Sequence, residues 1–268
     1  MSVAMLLGTN AVVLIVMFFG LWLLTLQTRD VTPVDSVWAI GMIVLGGSTF
    51  LQTSGDPGRK ALLMVLCTLW GVRLGAYLLW RWRHHGPDRR YVTMFAKAEQ
   101  KNGWGFGEAS ARLVYVTQAP LLFVVCLPVQ LGQVDATPGV GTLGMIGAAV
   151  ALTGIAFETI GDWQLVRFRA NPANQGQVLT TGLWRFTRHP NYFGDACTWW
   201  GLFLIAAESS TGLWALPGPI FLTWTLMKWS GVPTIEGRLK RKKPGYEDYV
   251  QRTSGFLPWF PKAGPEPH

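Results

Sequence analysis

Long apolar stretches alternate with short polar ones along most of this chain. A helix needs about 20 apolar residues to cross a bilayer, and seven stretches approach that length. The first is the clearest because Ala11 to Leu26 carries no charge, whereas the last two are short and rich in Trp. The pattern therefore predicts an all-α integral membrane bundle of about seven transmembrane helices, at about 5–26, 34–52, 60–80, 111–131, 139–163, 191–207 and 212–229.

The basic residues are distributed unevenly among the segments that join these stretches. Of the 23 Lys and Arg residues, 20 fall in alternate loops and in the C-terminal tail. Only Arg59 and Lys60 fall on the opposite side, and Arg73 lies inside a stretch. Because Lys and Arg concentrate in the cytoplasmic loops of membrane proteins, we expect the N-terminus outside and the C-terminus in the cytoplasm.

The composition excludes several classes of protein. Half of the residues are hydrophobic and only 14% are charged, against roughly a quarter in a soluble domain, so disorder is excluded and an ordinary soluble domain is disfavoured. The net charge of +8 follows from the loop charges, and no nucleic-acid-binding motif accompanies it, so we expect no nucleic-acid partner. The three Cys stand singly in apolar runs, so neither disulfides nor a metal site is expected.

No linker or repeat divides the chain. We expect a single membrane-embedded domain over residues 1–268, with cytoplasmic loops at 82–110 and 164–190 and a cytoplasmic tail at 230–268. Its partners would be membrane lipids and a small lipid substrate, while the sequence makes no prediction about the oligomeric state.

Charged residues inside the apolar stretches are the most informative ones. At the bilayer centre such a side chain costs roughly 2.5–3.5 kcal/mol, and it usually faces the interior of the bundle and marks a site. Those in this chain are Asp35, Arg73, Glu158, Asp162 and Asp195, with Lys228 near a boundary.

The third stretch places Trp70, Arg73, Tyr77 and Arg81 on one helical face, since their spacings are three, four and four residues. An aromatic belt with arginines that extend to the membrane surface explains Arg81. It explains Arg73 poorly, because Arg73 lies about two turns deeper. This face therefore presents polar groups to the bundle interior.

An acid pair ends the fifth stretch. Glu158 and Asp162 are one turn apart, and Arg167 and Arg169 follow them. Paired acids can accept hydrogen bonds from a carboxamide, from ribose hydroxyls or from arginines, and the following arginines suit phosphates. An internal salt-bridge cluster between helices is the alternative.

The motif RHPNYFG at 188–194 is the strongest local signal. Pro190 suits the first turn of a helix, and Asn191 and Asp195 are one turn apart. Arg185, Arg188 and His189 gather at the positive end of that helix, where an anion binds well.

This motif is similar to the signature shared by steroid 5-alpha-reductase-like membrane enzymes and by the isoprenylcysteine and phospholipid methyltransferases. Further segments resemble the first group and extend the resemblance over most of the chain: VDSVW at 34–38, LWGVRLGAYLLWR at 69–81, DRRY at 88–91 and TIEGRLKRKKPGYEDYVQRTSGFLP at 234–258. The chain is thereby identified as a member of that superfamily, in its uncharacterised bacterial branch, which implies a bacterial inner membrane.

The resemblance implies NADPH bound in the cytoplasmic half of a seven-helix bundle, and reduction of a carbon–carbon double bond of enone type in a steroid-like or other lipid. The residues that it assigns to the cofactor are Arg81, Tyr91, Glu158, Asp162, Arg169, Arg185, Arg188, His189, Asn191, Tyr192, Asp195, Glu236 and Lys240.

The resemblance is weaker at the catalytic residues. Characterised steroid reductases polarise the substrate ketone with a Glu of the second helix and a Tyr of the third. The nearest equivalents here are Asp35 and Trp70, and Trp has no phenolic proton to give, which puts steroid specificity in doubt. Asp35 is the first candidate donor and Tyr77 the second, and Arg73, Trp70 and Trp38 belong to the same cluster.

Two other functions remain open. The methyltransferases share the RHPxYxG pattern, so S-adenosylmethionine-dependent methylation of a lipid or an isoprenylcysteine-type group is the alternative. Such a site holds no pyrophosphate, and the arginines and the acid pair favour the phosphorylated nucleotide instead. A scaffold or transporter without enzymatic activity is a third possibility, although helices broken at midspan would be expected there.

Overall fold

The computed structural model describes residues 2–137, 139–229 and 231–262, without the side chains of Thr234 and Arg238. Within these ranges all regular structure is helical except for one parallel bridge between Thr187 and Ser254. The expected all-α class is therefore confirmed. Ser230 and residues 263–268 of the expected tail lie outside the described residues.

The longer helices are α1 (Val3–Thr28), α2 (Pro33–Gln52), α3 (Pro57–His85), α4 (Arg89–Asn102), α8 (Thr142–Ala170) and α9 (Pro190–Ala206). The shorter ones are α5 (Phe106–Ser110), α6 (Val116–Val125), α7 (Leu127–Leu131), α10 (Pro217–Trp224), α11 (Val232–Lys242) and α12 (Tyr246–Arg252). Single π-helical segments lie at Ala111–Tyr115 and Thr225–Trp229, and short 3₁₀ turns at Pro172–Asn174, Gly182–Arg185 and Gly212–Ala215.

Four of the described helices, α1, α2, α3 and α8, are long and apolar enough to cross a membrane. The other three expected spans take a different form. The 111–131 stretch is divided between a π segment, α6 and α7, and the 191–207 stretch is the 17-residue α9. The 212–229 stretch consists of a 3₁₀ turn, α10 and a π segment.

Segments expected to be cytoplasmic loops are also partly helical. The 82–110 segment contains the end of α3, all of α4 and α5, and α8 continues to Ala170. The side chain of Asp88 caps α4 by accepting a hydrogen bond from the Arg90 amide at 2.8 Å, and Gly103 ends it in the left-handed conformation. No apolar stretch marks this helix in the sequence, because most of its residues are polar and only Tyr91 and Ala98 in it are buried.

By its internal contacts the chain divides into two units. The first comprises residues up to 145 together with Leu202–Gly218, and the second comprises Ile146–Gly201 together with the residues from 219 onward. In the first unit, α2 and α3 pack so closely that a Cβ on Gly71 would lie 2.9 Å from the carbonyl oxygen of Ala39. The fully buried Leu63 and Trp70 belong to the core of this unit.

Arg59 and Lys60, the two basic residues predicted on the sparsely charged side, have structural partners in the first unit. The Arg59 side chain is 0% exposed and donates hydrogen bonds to the carbonyl oxygens of Gly132 at 2.9 Å, Thr137 at 3.1 Å and Asp135. Lys60 donates to the carbonyl oxygens of Phe50, at 2.9 Å, and of Thr53 at the end of α2. Their charges therefore hold loops and a helix end together.

In the second unit, α8 and α9 cross through glycines. A Cβ on Gly154 would lie 2.5 Å from the Gly194 carbonyl oxygen, and one on Gly194 would lie 2.6 Å from the amide of Glu158. Near the other end, a Cβ on Gly201 would lie 2.5 Å from the amide of Ala151. Because only glycine fits these contacts, the backbone of Glu158 lies directly against α9.

Candidate functional site

In the first unit, Asp35 joins the ends of three helices. It lies in the first turn of α2, and its Oδ1 accepts a hydrogen bond from the Tyr91 hydroxyl at 2.6 Å. Its Oδ2 lies 3.0 Å from a guanidinium nitrogen of Arg90 and 3.7 Å from one of Arg81. The carboxylate thereby links the start of α2 to the end of α3 and the start of α4, and it accepts hydrogen bonds from Tyr91 and Arg90.

The charges around Asp35 reinforce one another. Burial raises the pKa of Tyr91 well above its usual value, and the negative charge of Asp35 raises it further. Burial alone would raise the pKa of Asp88, but hydrogen bonds from Arg90 outweigh that effect and lower it. At neutral pH the tyrosine therefore keeps the proton that it donates to Asp35, and Asp88 stays ionised beside Arg90.

The face predicted on the third stretch has one fully buried member. The indole of Trp70 is 0% exposed and meets that of Trp38 edge to face, with ring centroids 6.4 Å apart. Arg73 and Tyr77 are half-buried, and Arg81 reaches Asp35. The Trp38 indole N–H and the Ser36 hydroxyl are buried and have no hydrogen-bond partner among the described residues.

Sequence reasoning missed two residues of this first cluster, Ser36 and Arg90. Arg90 belongs to the DRRY segment that carries part of the resemblance, so its motif was a usable signal. Nothing in the residue pattern distinguishes Ser36 from other serines in an apolar helix.

In the second unit, three predicted carboxylates are buried. The exposed fractions of Glu158, Asp162 and Asp195 are 3%, 5% and 9%. The Asn191 side-chain amide donates to Asp162 Oδ1 at 3.2 Å, and Asn191 Oδ1 accepts from the Tyr192 amide at 3.1 Å. The structure therefore brings an acidic group of α8 and an amide group of α9 together.

The RHPNYFG motif contacts the tail. Glu236 Oε1 lies 2.7 Å from Arg188 Nε and 3.0 Å from His189 Nε2. Burial alone would raise the pKa of Glu236, but the hydrogen bonds from His189 and Arg188 lower it to about 2. The His189 ring also stacks on Tyr192, with centroids 5.4 Å apart. Glu236 is therefore ionised at neutral pH and pairs with the motif.

Backbone carbonyls complete this attachment of the tail. Arg188 also donates to the carbonyl oxygens of Val250, at 3.0 Å, and of Thr253, while its amide donates to Ser254 at 2.9 Å. The Tyr249 hydroxyl donates to the Trp184 carbonyl at 2.5 Å. A single sequence does not predict such contacts, because every residue has a backbone carbonyl. The structure thus gives Arg188 a role in holding the tail, and its expected contact with a phosphate stays a prediction.

Three other predicted cofactor residues lie elsewhere in this unit. Arg185 is exposed, with its guanidinium 6.0 Å from the ring centroid of Phe186. Lys240 is exposed on α11. Arg169, at the end of α8, lines a cavity that also involves Lys243.

A model of a protein family described as a protein of unknown function (DUF1295) matches residues 21–253. The chain belongs to this family. An uncharacterized protein of Schizosaccharomyces pombe is 21% identical over 271 residues, which cover 89% of this chain and 75% of the yeast protein. No solved structure matches the chain significantly. The family match includes all the candidate site residues, from Asp35 to Lys240.

Proposed function

We propose that this protein is an NADPH-dependent membrane reductase of the steroid 5-alpha-reductase-like group, acting on a carbonyl-conjugated double bond in a lipid. The observation that carries the proposal is the buried set of Glu158, Asp162 and Asp195 on two apolar helices, with the Asn191 amide against Asp162. A carboxylate inside a membrane-spanning helix costs free energy, and such residues usually serve a function. Carboxylates accept from ribose hydroxyls and from a nicotinamide carboxamide, so this set suits such a nucleotide.

When bound, NADPH would supply a hydride to the β-carbon of the conjugated system. The carbonyl oxygen of the lipid then gains negative charge, which a hydrogen-bond donor in a dry pocket must stabilise. A proton from water completes the reduction at the α-carbon.

For that donor we propose the cluster of the second and third helices. Asp35 accepts from Tyr91 and pairs with Arg90, and both contacts suit its ionised form, so we propose a positioning role for it. The donor is then one of Tyr77, Arg73 and Trp38. The indole N–H of Trp38 is buried and makes no hydrogen bond with the described part of the chain. Trp70 would shape the pocket against Trp38.

We propose that α1, α2, α3 and α8 are accompanied by three further spans, with the N-terminus outside and the C-terminus in the cytoplasm of an inner membrane. The partition of basic residues supports this topology. A reporter fused after His268 should be active only on the cytoplasmic side. Periplasmic activity of the same reporter would contradict the topology.

Mass spectrometry of the small molecule that copurifies with the protein tests the cofactor directly. We expect NADP(H), whereas S-adenosylmethionine would support the methyltransferase alternative. Asp162→Asn and Asp195→Ala should each weaken NADPH binding at least tenfold, about 1.4 kcal/mol, while the protein stays monodisperse. Asp248→Asn, an exposed acid of the tail, is the matched control. Normal binding by both variants, or their aggregation, would favour an internal salt-bridge cluster.

A second experiment addresses the Asp35 cluster. Asp35→Leu should abolish turnover of a tested enone while NADPH still binds, because Arg81, Arg90 and Tyr91 lose their common partner. Asp35→Asn keeps a hydrogen-bonding group of similar shape and should retain part of the activity. If Asp35→Leu turns over the enone at the wild-type rate, Asp35 has no part in the reaction.

A further inference from the structure

A cavity of about 250 Å³ lies in the second unit, where α8 ends and the following loop meets the residue after α11. The lining includes Arg169, Asn171, Asn174, Gln175, Lys243 and Phe168. Except for Arg169, these polar residues carry no role in the proposed function. The cavity is therefore a separate feature that requires its own explanation.

The loop that forms this cavity is held in place. The Asn174 side-chain amide donates to the Phe168 carbonyl at 2.9 Å, and Asn171 Oδ1 accepts from the Ala173 amide at 3.0 Å. Lys243 Nζ donates to the carbonyl oxygen of Gln177. These bonds connect α8, the loop and the tail, and they position Asn171, Asn174 and Lys243 in the lining of the cavity.

The charges of the cavity favour an anion. Two of its described lining residues, Arg169 and Lys243, are cationic, and none of those described is acidic. Burial lowers the pKa of Lys243, and the positive charge of Arg169 lowers it further. The positive charges of Arg169 and Lys243 repel each other in this cavity, which costs free energy. An anion bound between them would replace that repulsion by attraction.

The position of the cavity relates it to the buried acids. Arg169 follows Asp162 by seven residues, close to two helical turns, so both lie on nearly the same face of α8 and about 10 Å apart along it. One extended ligand could therefore contact both. The cations just before α9 are less suited to its phosphate, because Arg188 already pairs with Glu236 at 2.7 Å.

We propose that this cavity binds a phosphate group, and that its occupant is the phosphate on the adenosine ribose of NADPH. This assignment rests on the proposed reductase function and adds Lys243 to the residues that recognise the cofactor. Arg169 would grip the phosphate through two guanidinium N–H groups, Lys243 would add a second charge, and the Asn171 and Asn174 amides would surround it. Because NADH lacks this phosphate, the cavity would select NADPH over NADH.

The test compares both nucleotides on the purified full-length protein in detergent. Lys243→Met should weaken NADPH binding about tenfold or more, the loss expected for one charge-assisted contact, and should leave NADH binding unchanged. Arg169→Met should act in the same direction. Lys242→Met is the matched control, because Lys242 is the exposed neighbour and does not line the cavity.

An equal loss of NADPH and NADH binding in Lys243→Met, or no loss of either, would overturn the inference. If the wild-type protein binds neither nucleotide, the reductase proposal fails. Adenosine 2′,5′-bisphosphate then serves as the probe, and the phosphate site survives only if Lys243→Met weakens its binding. A lipid headgroup is the other source of phosphate. If Lys243→Met reduces binding of phosphatidic acid in nanodiscs but not of NADPH, the assignment to the nucleotide is wrong.

Discussion

Replacing Glu236 by Gln removes one negative charge from the contact between the RHPNYFG motif and the tail. In the folded protein the pKa of Glu236 is lowered from 4.5 to about 2. At about 1.4 kcal/mol for each pH unit, that difference amounts to about 3 kcal/mol. Because the site is partly open to solvent, which screens such charges, we expect about 1–2 kcal/mol of the stability of the tail to depend on this carboxylate.

Hydrogen exchange of the tail measures this contribution. In Glu236→Gln at neutral pH, the amides of α12 and of the segment up to Lys262 should lose protection about 5- to 30-fold, the factor that corresponds to 1–2 kcal/mol. Glu247→Gln makes the same substitution at an exposed position of the same tail and should change nothing. In the wild type, the stabilisation should be complete above about pH 4.5 and should decline as the pH falls toward 2, because the folded-state pKa is the lower one.

Equal protection in Glu236→Gln and in the wild type would refute this reasoning. It would mean that the bonds from Arg188 to the carbonyl oxygens of Val250 and Thr253 hold the tail without the carboxylate. Protection that is lost equally in Glu247→Gln would also refute it, because the effect would then come from tail charge in general.

Three further predictions concern helix packing and the hydrogen bonds of buried polar side chains. Gly194→Ala should lower the thermal stability in detergent, because its Cβ would lie 2.6 Å from the Glu158 amide, whereas Gly20→Ala meets nothing within 4 Å and should be neutral. Arg59→Met should destabilise the protein by about 2–4 kcal/mol, because three backbone carbonyls lose their hydrogen-bond donor. Arg83→Met, at an exposed position, should not destabilise it, and melting curves of the two variants measure the difference. Tyr91→Phe should increase protease cleavage within α4, because Asp35 loses a 2.6 Å hydrogen bond, and unchanged cleavage would contradict that role.

The sequence predicts the helical class and several pairs at the site because helical spacing is a local property. One-turn intervals were enough to relate Asp162 to Glu158 and Asn191 to Asp195, and a shared face related Arg81 to Tyr77. The contact between Asp162 and Asn191 joins two helices, and the sequence did not predict it, since the family resemblance assigned both residues only to the cofactor. The helix α4 escaped prediction because its stability comes from a cap and two buried residues, and no apolar stretch marks it.

The function of Arg59 could not be predicted for a different physical reason. The count of Lys and Arg residues in the loops predicted that Arg59 lies on the sparsely charged side. Such a count does not identify the groups to which a side chain binds. In the structure its three acceptors are backbone carbonyls more than 70 residues away along the chain. Such acceptors are independent of side-chain identity, so only the fold reveals that this cation is structural.

The same distinction changes the interpretation of the cations before α9. From the sequence, Arg188 and His189 mark the positive end of a helix, where an external anion would bind. In the structure an anion is indeed bound there, but it is the protein's own Glu236, at 2.7 and 3.0 Å from the two side chains. A second anion at the same guanidinium would meet the negative charge of Glu236, whose Oε1 already lies 2.7 Å from Arg188 Nε. For the proposed nucleotide, Arg169 and Lys243 are therefore the better phosphate contacts, because their cavity contains no described acidic residue. We propose that the RHPNYFG motif acts on that nucleotide by positioning Asn191 and Tyr192 and by holding the tail that carries Lys243.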